Sequence, residues 1–253
     1  MKSECFLSVI IPAFNEAVRL KKTLPELREF LWQSDVTWEV VLVDDGSEDG
    51  TSQIPQNIFT ENELQIVRYE TNRGKGYAVK KGVQAAKGGI CLITDADFSY
   101  PIGQFVKLKT CLDQGYDIAI GSRALPESNV VVPQSGFRQG MGKGFNFLIK
   151  TLGLGDFMDT QCGFKCCRRE KVLPIFSKMR INRFCFDVEL LFVAKNWGLK
   201  IKEVPVDLHN CDSSKVHAVW GPIQMLWDLI RIRVNAFRGI YEPCGTGSNR
   251  EKP

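Results

Sequence analysis

Five short apolar runs dominate the first 122 residues, and each ends in a polar or glycine-rich turn. They are Leu7–Ile11, Glu39–Val43, Leu64–Tyr69, Ile90–Ile93 and Tyr116–Ile120. Runs this short, mostly apolar and rich in Val and Ile, fit strands covered on both faces. Helical spacing fills the stretches between them. Leu20, Leu24, Leu27 and Leu31 fall on one helix face, with Pro25 expected to kink that helix or restart it. A further helix is expected near Thr51, another opens at Lys75 with Ala78, Val79, Val83 and Ala86, and another covers Phe105 to Leu112. Strands alternating with helices predict an α/β fold, Rossmann-like, with a mostly parallel central sheet flanked by helices. Ligands of such sheets bind beyond the carboxyl ends of the strands. Here those ends carry Asn15 and Glu16, Asp44 and Asp45, Arg73 and Lys75, and Asp95 and Asp97.

The last of these pairs is the most informative. Asp95 and Asp97 close the fourth run with only Ala96 between them, so both carboxylates point to one side. Two like charges that close need a cation or a proton between them. Hard oxygen donors suit Mg²⁺ or Mn²⁺, and Mg²⁺ usually takes one or two carboxylates together with substrate phosphates. The spacing points to a metal–diphosphate site; an Asp-capped turn after a strand is the other reading of the same residues. Arg73-Gly74-Lys75-Gly76 offers cations and close backbone approach, but it is shorter than a P-loop. The turn after the first run, Pro12-Ala13-Phe14-Asn15-Glu16, lacks the glycine fingerprint of dinucleotide-binding folds, which argues against NAD.

The second half is less regular. Residues 124–136 read as a loop, and 136–152 as a glycine-interrupted helix containing Arg138, Lys143 and Asn146. Asp159 to Lys165 reads as a polar turn leading into a short strand, Cys185–Trp197 as a helix and Ile201–Leu208 as a strand. Pro222 suits the first turn of a last helix. There Ile223, Leu226, Trp227, Ile230, Val234 and Phe237 form an apolar stripe, with Asp228, Arg231 and Arg238 off it. Such a stripe fits a helix packed on the domain, and equally a helix lying in a membrane interface.

Charge separates the two halves. Residues 1–122 carry 13 Lys and Arg against 17 Asp and Glu, whereas residues 123–253 carry 20 against 12. The C-terminal half should therefore attract an anionic partner. It has no helix-turn-helix and no basic tract interleaved with aromatics, so nucleic acid is not the expected partner. The nine cysteines are odd in number and lack zinc-ligand spacing, which predicts free thiols in a reducing compartment. No apolar run approaches the ~18 residues of a spanning helix. Pro12 cuts the N-terminal apolar stretch too early for a signal peptide.

Val9-Ile10-Ile11-Pro12-Ala13-Phe14-Asn15-Glu16, Val43-Asp44-Asp45-Gly46-Ser47, Asn72-Arg73-Gly74-Lys75-Gly76 and Asp95-Ala96-Asp97, in this order, resemble the inverting family-2 glycosyltransferases of the GT-A fold. Four later stretches are similar to the polyprenyl-phosphate sugar synthases. They are Gly121-Ser122-Arg123, Asp159-Thr160-Gln161-Cys162-Gly163-Phe164-Lys165, Ser214-Lys215-Val216-His217 and Asp228-Leu229-Ile230-Arg231-Ile232-Arg233. They look like the dolichyl-phosphate glucosyl branch more than the mannosyl branch. The resemblance covers roughly residues 6–241. It implies one domain over 1–241, with 1–122 as the nucleotide-sugar-binding half and 123–241 as the acceptor half ending in an amphipathic helix. Residues 242–253 are expected to be a disordered tail. Relatives on the glucosyl branch usually carry an N-terminal membrane anchor, whereas this chain begins at its first strand. The expectation is therefore peripheral attachment to the cytosolic face of a membrane.

The resemblance implies transfer of glucose from UDP-glucose to a polyprenyl phosphate with inversion, supported by Mg²⁺ or Mn²⁺. It places Pro12, Phe14, Glu16, Asp44 and Asp45 around uridine, and Arg73, Lys75 and Ala96 along base and diphosphate. Asp95 and Asp97 would ligate the metal, with Ser99 where a third ligand can fall. Arg123 and Arg138 would position the acceptor phosphate, Gln161 and Lys165 would shape the acceptor side, and Lys215 would close over the diphosphate. Asp187 and Glu189 fall near where relatives with hydroxyl acceptors keep a base. A lipid phosphate is already anionic near neutral pH and needs cationic positioning instead. Three alternatives stay open at this level: a polyprenyl-phosphate mannosyltransferase using GDP-mannose, a family-2 transferase with a soluble hydroxyl acceptor, and a nucleotide-sugar binding module without turnover.

Overall fold

The apolar runs become strands β1 (Leu7–Ala13), β2 (Trp38–Asp45), β3 (Leu64–Tyr69), β4 (Ile90–Ile93) and β5 (Ile118–Ser122), joined by β6 (Lys165–Arg168) and β7 (Ile201–Pro205). A computed structural model describes residues 6–129, 136–209 and 220–243, excepting the side chains of 136–143 and 220–222. The strands form one seven-stranded sheet in the order β3-β2-β1-β4-β6-β5-β7. Every pairing is parallel except those of β6, which runs antiparallel to both β4 and β5.

Helices cover both faces: α1 (Ala17–Trp32), α2 (Lys75–Ala85), α3 (Phe105–Asp113), α4 (Gly136–Thr151), α5 (Arg169–Lys178), α6 (Phe186–Asn196) and α7 (Trp220–Phe237). Alternate strand residues serve the two cores. Ile10, Val41, Val43, Cys91 and Ile93 face α2, α5 and α6, while Val9, Ile11, Val40, Leu42 and Leu92 face α1 and α3. The four leucines of α1 are all fully buried, each contributing about 2 kcal/mol of transfer free energy.

Several boundaries differ from the sequence expectation. Pro12 does not stop β1. Its nitrogen side faces β4, whose pairing with β1 ends at Ile10 and Ile93, so no ladder bond is lost there. Pro25 does not restart α1. It lies on the exposed face, where water can satisfy the carbonyl it leaves free. Near Thr51 the chain makes two short 3₁₀ turns, Thr51–Gln53 and Pro55–Asn57, instead of a helix. Helix α5 went unread because it follows β6 without a turn signal and holds Pro174. Residues 210–219, with Lys215, and the tail from residue 244 lie outside the described residues.

Candidate active site

Strands β1, β2, β4, β5 and β7 present their carboxyl ends at one edge of the sheet. Because β6 is antiparallel, its amino end lies at that same edge, with Lys165 opposite Ile93 and Ile120. The turn Asp159 to Phe164 is thereby carried to the side of Asp95. Gly163 lies so close that a Cβ there would overlap the Asp95 carboxylate. A glycine is required by that approach.

Asp95 and Asp97 are both half-buried. Lys75 Nζ lies 2.5 Å from Asp95 Oδ1. Asp97 Oδ1 accepts the Ser99 N–H at 3.0 Å, forming a local turn. The Ala96 carbonyl accepts the Thr23 hydroxyl at 2.9 Å, which ties this turn to α1. The Ser99 carbonyl accepts the His209 N–H at 2.9 Å, so the segment leading toward Lys215 departs beside the turn. Two partly exposed carboxylates are the donor set a hard divalent cation takes when a diphosphate completes its shell. The residues therefore fit Mg²⁺ or Mn²⁺. Burial disfavours the Lys75 ammonium, but the fields of Asp95 and Asp187 outweigh it and raise its pKa above the ordinary lysine value.

The residues assigned to uridine form a second group. Asp45 is buried, and its two oxygens accept the N–H groups of Arg73 at 2.7 Å and Gly74 at 2.8 Å. It thus fixes the loop that presents Lys75. Asp44 is also buried; it accepts the Ser47 N–H at 2.8 Å and lies 3.5 Å from Arg68. Its reach is inward, into the turn. Glu16 pairs with Arg19 at 3.0 Å, while Phe14 is exposed and Pro12 half-buried. The β1 loop is fastened to the β2 loop, since the Asn15 N–H reaches the Ser47 hydroxyl at 2.9 Å and Asn15 Oδ1 accepts the Glu48 N–H at 3.0 Å. Arg73 lies over the Tyr77 ring, 5.0 Å from its centroid.

On the other side, Arg123 is not a free fork. Its Nε and Nη2 lie 2.6 and 2.8 Å from the two oxygens of Asp159, which also accepts its backbone N–H. Burial raises the Asp159 pKa, but the Arg123 hydrogen bonds and charge outweigh it and hold the carboxyl below the usual range. Gln161 donates its backbone N–H to Asp159 at 3.1 Å. Lys165 is fully buried, not lining an open acceptor side. It donates to the Cys162 carbonyl and lies 2.6 Å from Asp187 Oδ1. Burial raises the Asp187 pKa, against the pull of Lys165 and Lys75. Glu189 is buried as well, accepting the N–H groups of Arg180 and Ile181 at 2.8 Å and the Tyr241 hydroxyl at 2.5 Å. The side chain of Arg138, and Lys215 altogether, lie outside the described residues.

Among the described residues the stripe of helix α7 is not packed on the domain. Ile223, Leu226, Trp227, Ile230, Val234 and Phe237 are all exposed, Trp227 at 63% and Phe237 at 80%. The helix packs through Leu229, Ile232 and Asp228 instead, with Met225 and Ala236 partly buried beside them. Arg231 and Arg238 are exposed, and Arg233 lies over the Phe237 ring. Among the described residues no helix is long and apolar enough to cross a membrane.

Two site residues carried no role in the sequence reading. Asp159 orients Arg123, and its signal was an acid inside an otherwise polar turn. Gly163 admits Asp95, and its signal was a lone glycine immediately before a strand.

The family described as "Glycosyl transferase family 2" matches residues 8–175. A dolichyl-phosphate beta-glucosyltransferase of Dictyostelium discoideum is 34% identical over 250 residues, covering 94% of this chain and 76% of that protein. Proteins of the same name from Drosophila melanogaster and Saccharomyces cerevisiae are 36% and 35% identical, covering 93% and 94% of this chain and 76% and 77% of theirs. The fold is similar to glucosyl-3-phosphoglycerate synthase of Mycobacterium tuberculosis bound to uridine diphosphate. The TM-score is 0.69 at 18% identity, with 92% of this chain and 82% of that one covered. Another structure of that synthase, with Mn²⁺, UDP-glucose and phosphoglyceric acid, has the same TM-score at 17% identity, with 92% and 81% covered.

Proposed function

Given that the chain belongs to glycosyl transferase family 2, we propose that it transfers glucose from UDP-glucose to a polyprenyl phosphate of the dolichyl type, with inversion. The observation that carries this reading is the gathering of Asp95, Asp97, Lys75 and the 159–165 turn at one sheet edge. The Dictyostelium, Drosophila and Saccharomyces relatives are each a dolichyl-phosphate beta-glucosyltransferase, which supports the choice of sugar and acceptor.

In this reading a phosphate oxygen of the acceptor attacks the anomeric carbon from the face opposite the diphosphate. The new carbon–oxygen bond forms as the bond to the β-phosphate breaks, and UDP leaves with the electron pair. The chain's own residues position these groups. Asp45 holds the backbone of Arg73 and Gly74 so that Lys75 faces the diphosphate. Asp95 and Asp97 would hold a divalent cation, which neutralises charge on the departing diphosphate. The Arg123–Asp159 pair supports the 159–164 turn from below, making Arg123 a positioning residue. No base is required of Asp187 or Glu189, which the fold has engaged with Lys165 and with Tyr241.

The exposed stripe of α7 is proposed to rest on an anionic bilayer surface, where a polyprenyl phosphate resides. Aromatic and aliphatic side chains beside exposed arginines suit the headgroup boundary.

Purified protein incubated with radiolabelled UDP-glucose, dolichyl phosphate and Mg²⁺ or Mn²⁺ should yield a lipid-extractable, mild-acid-labile glucose phosphate. Transfer from GDP-mannose in its place, or transfer only to a water-soluble hydroxyl acceptor, would overturn the proposal.

A further inference from the structure

We propose that Glu189, locked by Tyr241, is a positioning residue for the donor site, shaping the 179–185 segment on which the Lys75 turn rests. The proposal deepens the reading of Lys75 as a diphosphate contact and rests on it.

Residues 179–182, between α5 and α6, form neither helix nor strand. Two parts of the site lean on this segment. On the donor side, the Asn182 carbonyl accepts the Tyr77 N–H at 3.0 Å, one of the donors that the first turn of α2 leaves open. A Cβ added at Gly74 would stand 2.6 Å from that same carbonyl oxygen. One added at Gly76 would stand 2.9 Å from the oxygens of Ile181 and Arg183. The residues on both sides of Lys75 are thus in backbone contact with the segment. On the acceptor side, the Phe184 carbonyl accepts the Gln161 side-chain amide at 3.4 Å. Contacts between backbones leave no flexible side chain to absorb a displacement, so a shift of 181–183 carries residues 74–77 with it.

One buried carboxylate fastens the segment. Glu189, fully buried on α6, accepts the Arg180 N–H on Oε1 and the Ile181 N–H on Oε2, each at 2.8 Å. It stands in for the ladder or helix that these two donors lack. The Tyr241 hydroxyl, from beyond α7, donates to Oε1 at 2.5 Å. Tyr241 is held in turn: Asn235 donates to its hydroxyl at 3.2 Å, and the Trp197 indole N–H to its carbonyl at 2.6 Å. Among the described residues, three donors meet the Glu189 side chain, which suits an acceptor-only carboxylate. An amide of the same size cannot match them. In Glu189→Gln one oxygen becomes an NH₂ group; the Tyr241 hydroxyl can turn to accept from it, but a backbone N–H cannot. The variant therefore unfastens Arg180 or Ile181.

The test is UDP binding by isothermal titration calorimetry with Mg²⁺ present. Lys75→Met should weaken UDP on the order of tenfold, through loss of a charged contact. Glu189→Gln should weaken it about fivefold, but less than about twofold in the Lys75→Met background, because the effect runs through the lysine. Charge alone works the other way, since removing a carboxylate favours an anionic ligand. Unchanged or tighter UDP binding by Glu189→Gln, or equal weakening in both backgrounds, overturns the proposal: Glu189 then serves the fold alone. If Lys75→Met binds UDP as tightly as wild type, the diphosphate role of Lys75 falls and this proposal with it. A chain that shows these UDP affinities yet transfers no glucose would overturn the proposed function and support the positioning role. Should Glu189→Gln fail to fold, Tyr241→Phe takes its place, with an expected weakening of about threefold; wild-type UDP affinity in that variant is then the overturning result.

Discussion

Arg123 grips Asp159 at three points: Nε at 2.6 Å, Nη2 at 2.8 Å and the backbone N–H at 3.0 Å. The pair joins the end of β5 to the turn that faces Asp95. Glu203, in the middle of β7, also holds this turn, accepting the N–H groups of Met158 and Asp159.

Asp159→Asn should lower stability by about 2 kcal/mol, since it strands a largely desolvated guanidinium. In a chain of this size that shifts the melting midpoint by roughly 5 °C. The Asp159 carboxyl has a folded pKa below its unfolded value. Its stabilisation is therefore present above the ordinary carboxylate range and lost as pH falls through the folded pKa. Urea titrations should show wild type losing that increment below about pH 4, with the variant lacking it from neutral pH downward.

Asp97→Asn should reduce metal-dependent glucose transfer by ~100-fold or more, because a ligand is lost where even an outer-shell change costs 10–100-fold. The side chain is half-buried and, among the described residues, bonds its local turn, so the melting midpoint should move little. Retained transfer at saturating Mn²⁺ would argue against its role.

Gly163→Ala should lower activity and stability together. The added Cβ meets the Asp95 carboxylate, which must shift from its place. The expected result is weaker metal binding and a lower kcat, with a stability loss of about 1–3 kcal/mol from overpacking.

Trp227→Ser with Phe237→Ser should weaken flotation with anionic vesicles without lowering the melting midpoint. Both side chains are exposed and contribute nothing to the core. Binding unchanged by the pair would place the membrane contact elsewhere on the chain.

Much of the donor side was legible in advance. Strands β1 to β4 and the turns at Asp45, Lys75 and Asp95 follow from apolar runs of strand length and from residues adjacent in the chain. Such features depend on local periodicity and on side-chain direction, which a sequence displays. The acceptor side was legible only as a list of residues. Arg123 looked like a free phosphate fork until Asp159, 36 residues away, was seen to hold it. Lys165 reads as shaping an acceptor side, yet it is among the most buried of the described residues. The stripe on α7 is legible as an apolar face, but whether it packs on the domain or lies in an interface is not, because periodicity locates such a face without saying what covers it.

The sequence by itself determined the α/β alternation, the carboxylate pair at a strand end and the family signature carried by its turns. Only the tertiary structure decided that β6 enters the sheet antiparallel and brings Gly163, Lys165 and the 159–164 turn to the side of Asp95. It also decided which charges neutralise one another. The reason is physical: strand direction and ion pairing between distant segments are set by how the whole chain packs. The same lysine is a solvated charge or a buried counter-ion according to what that packing places beside it.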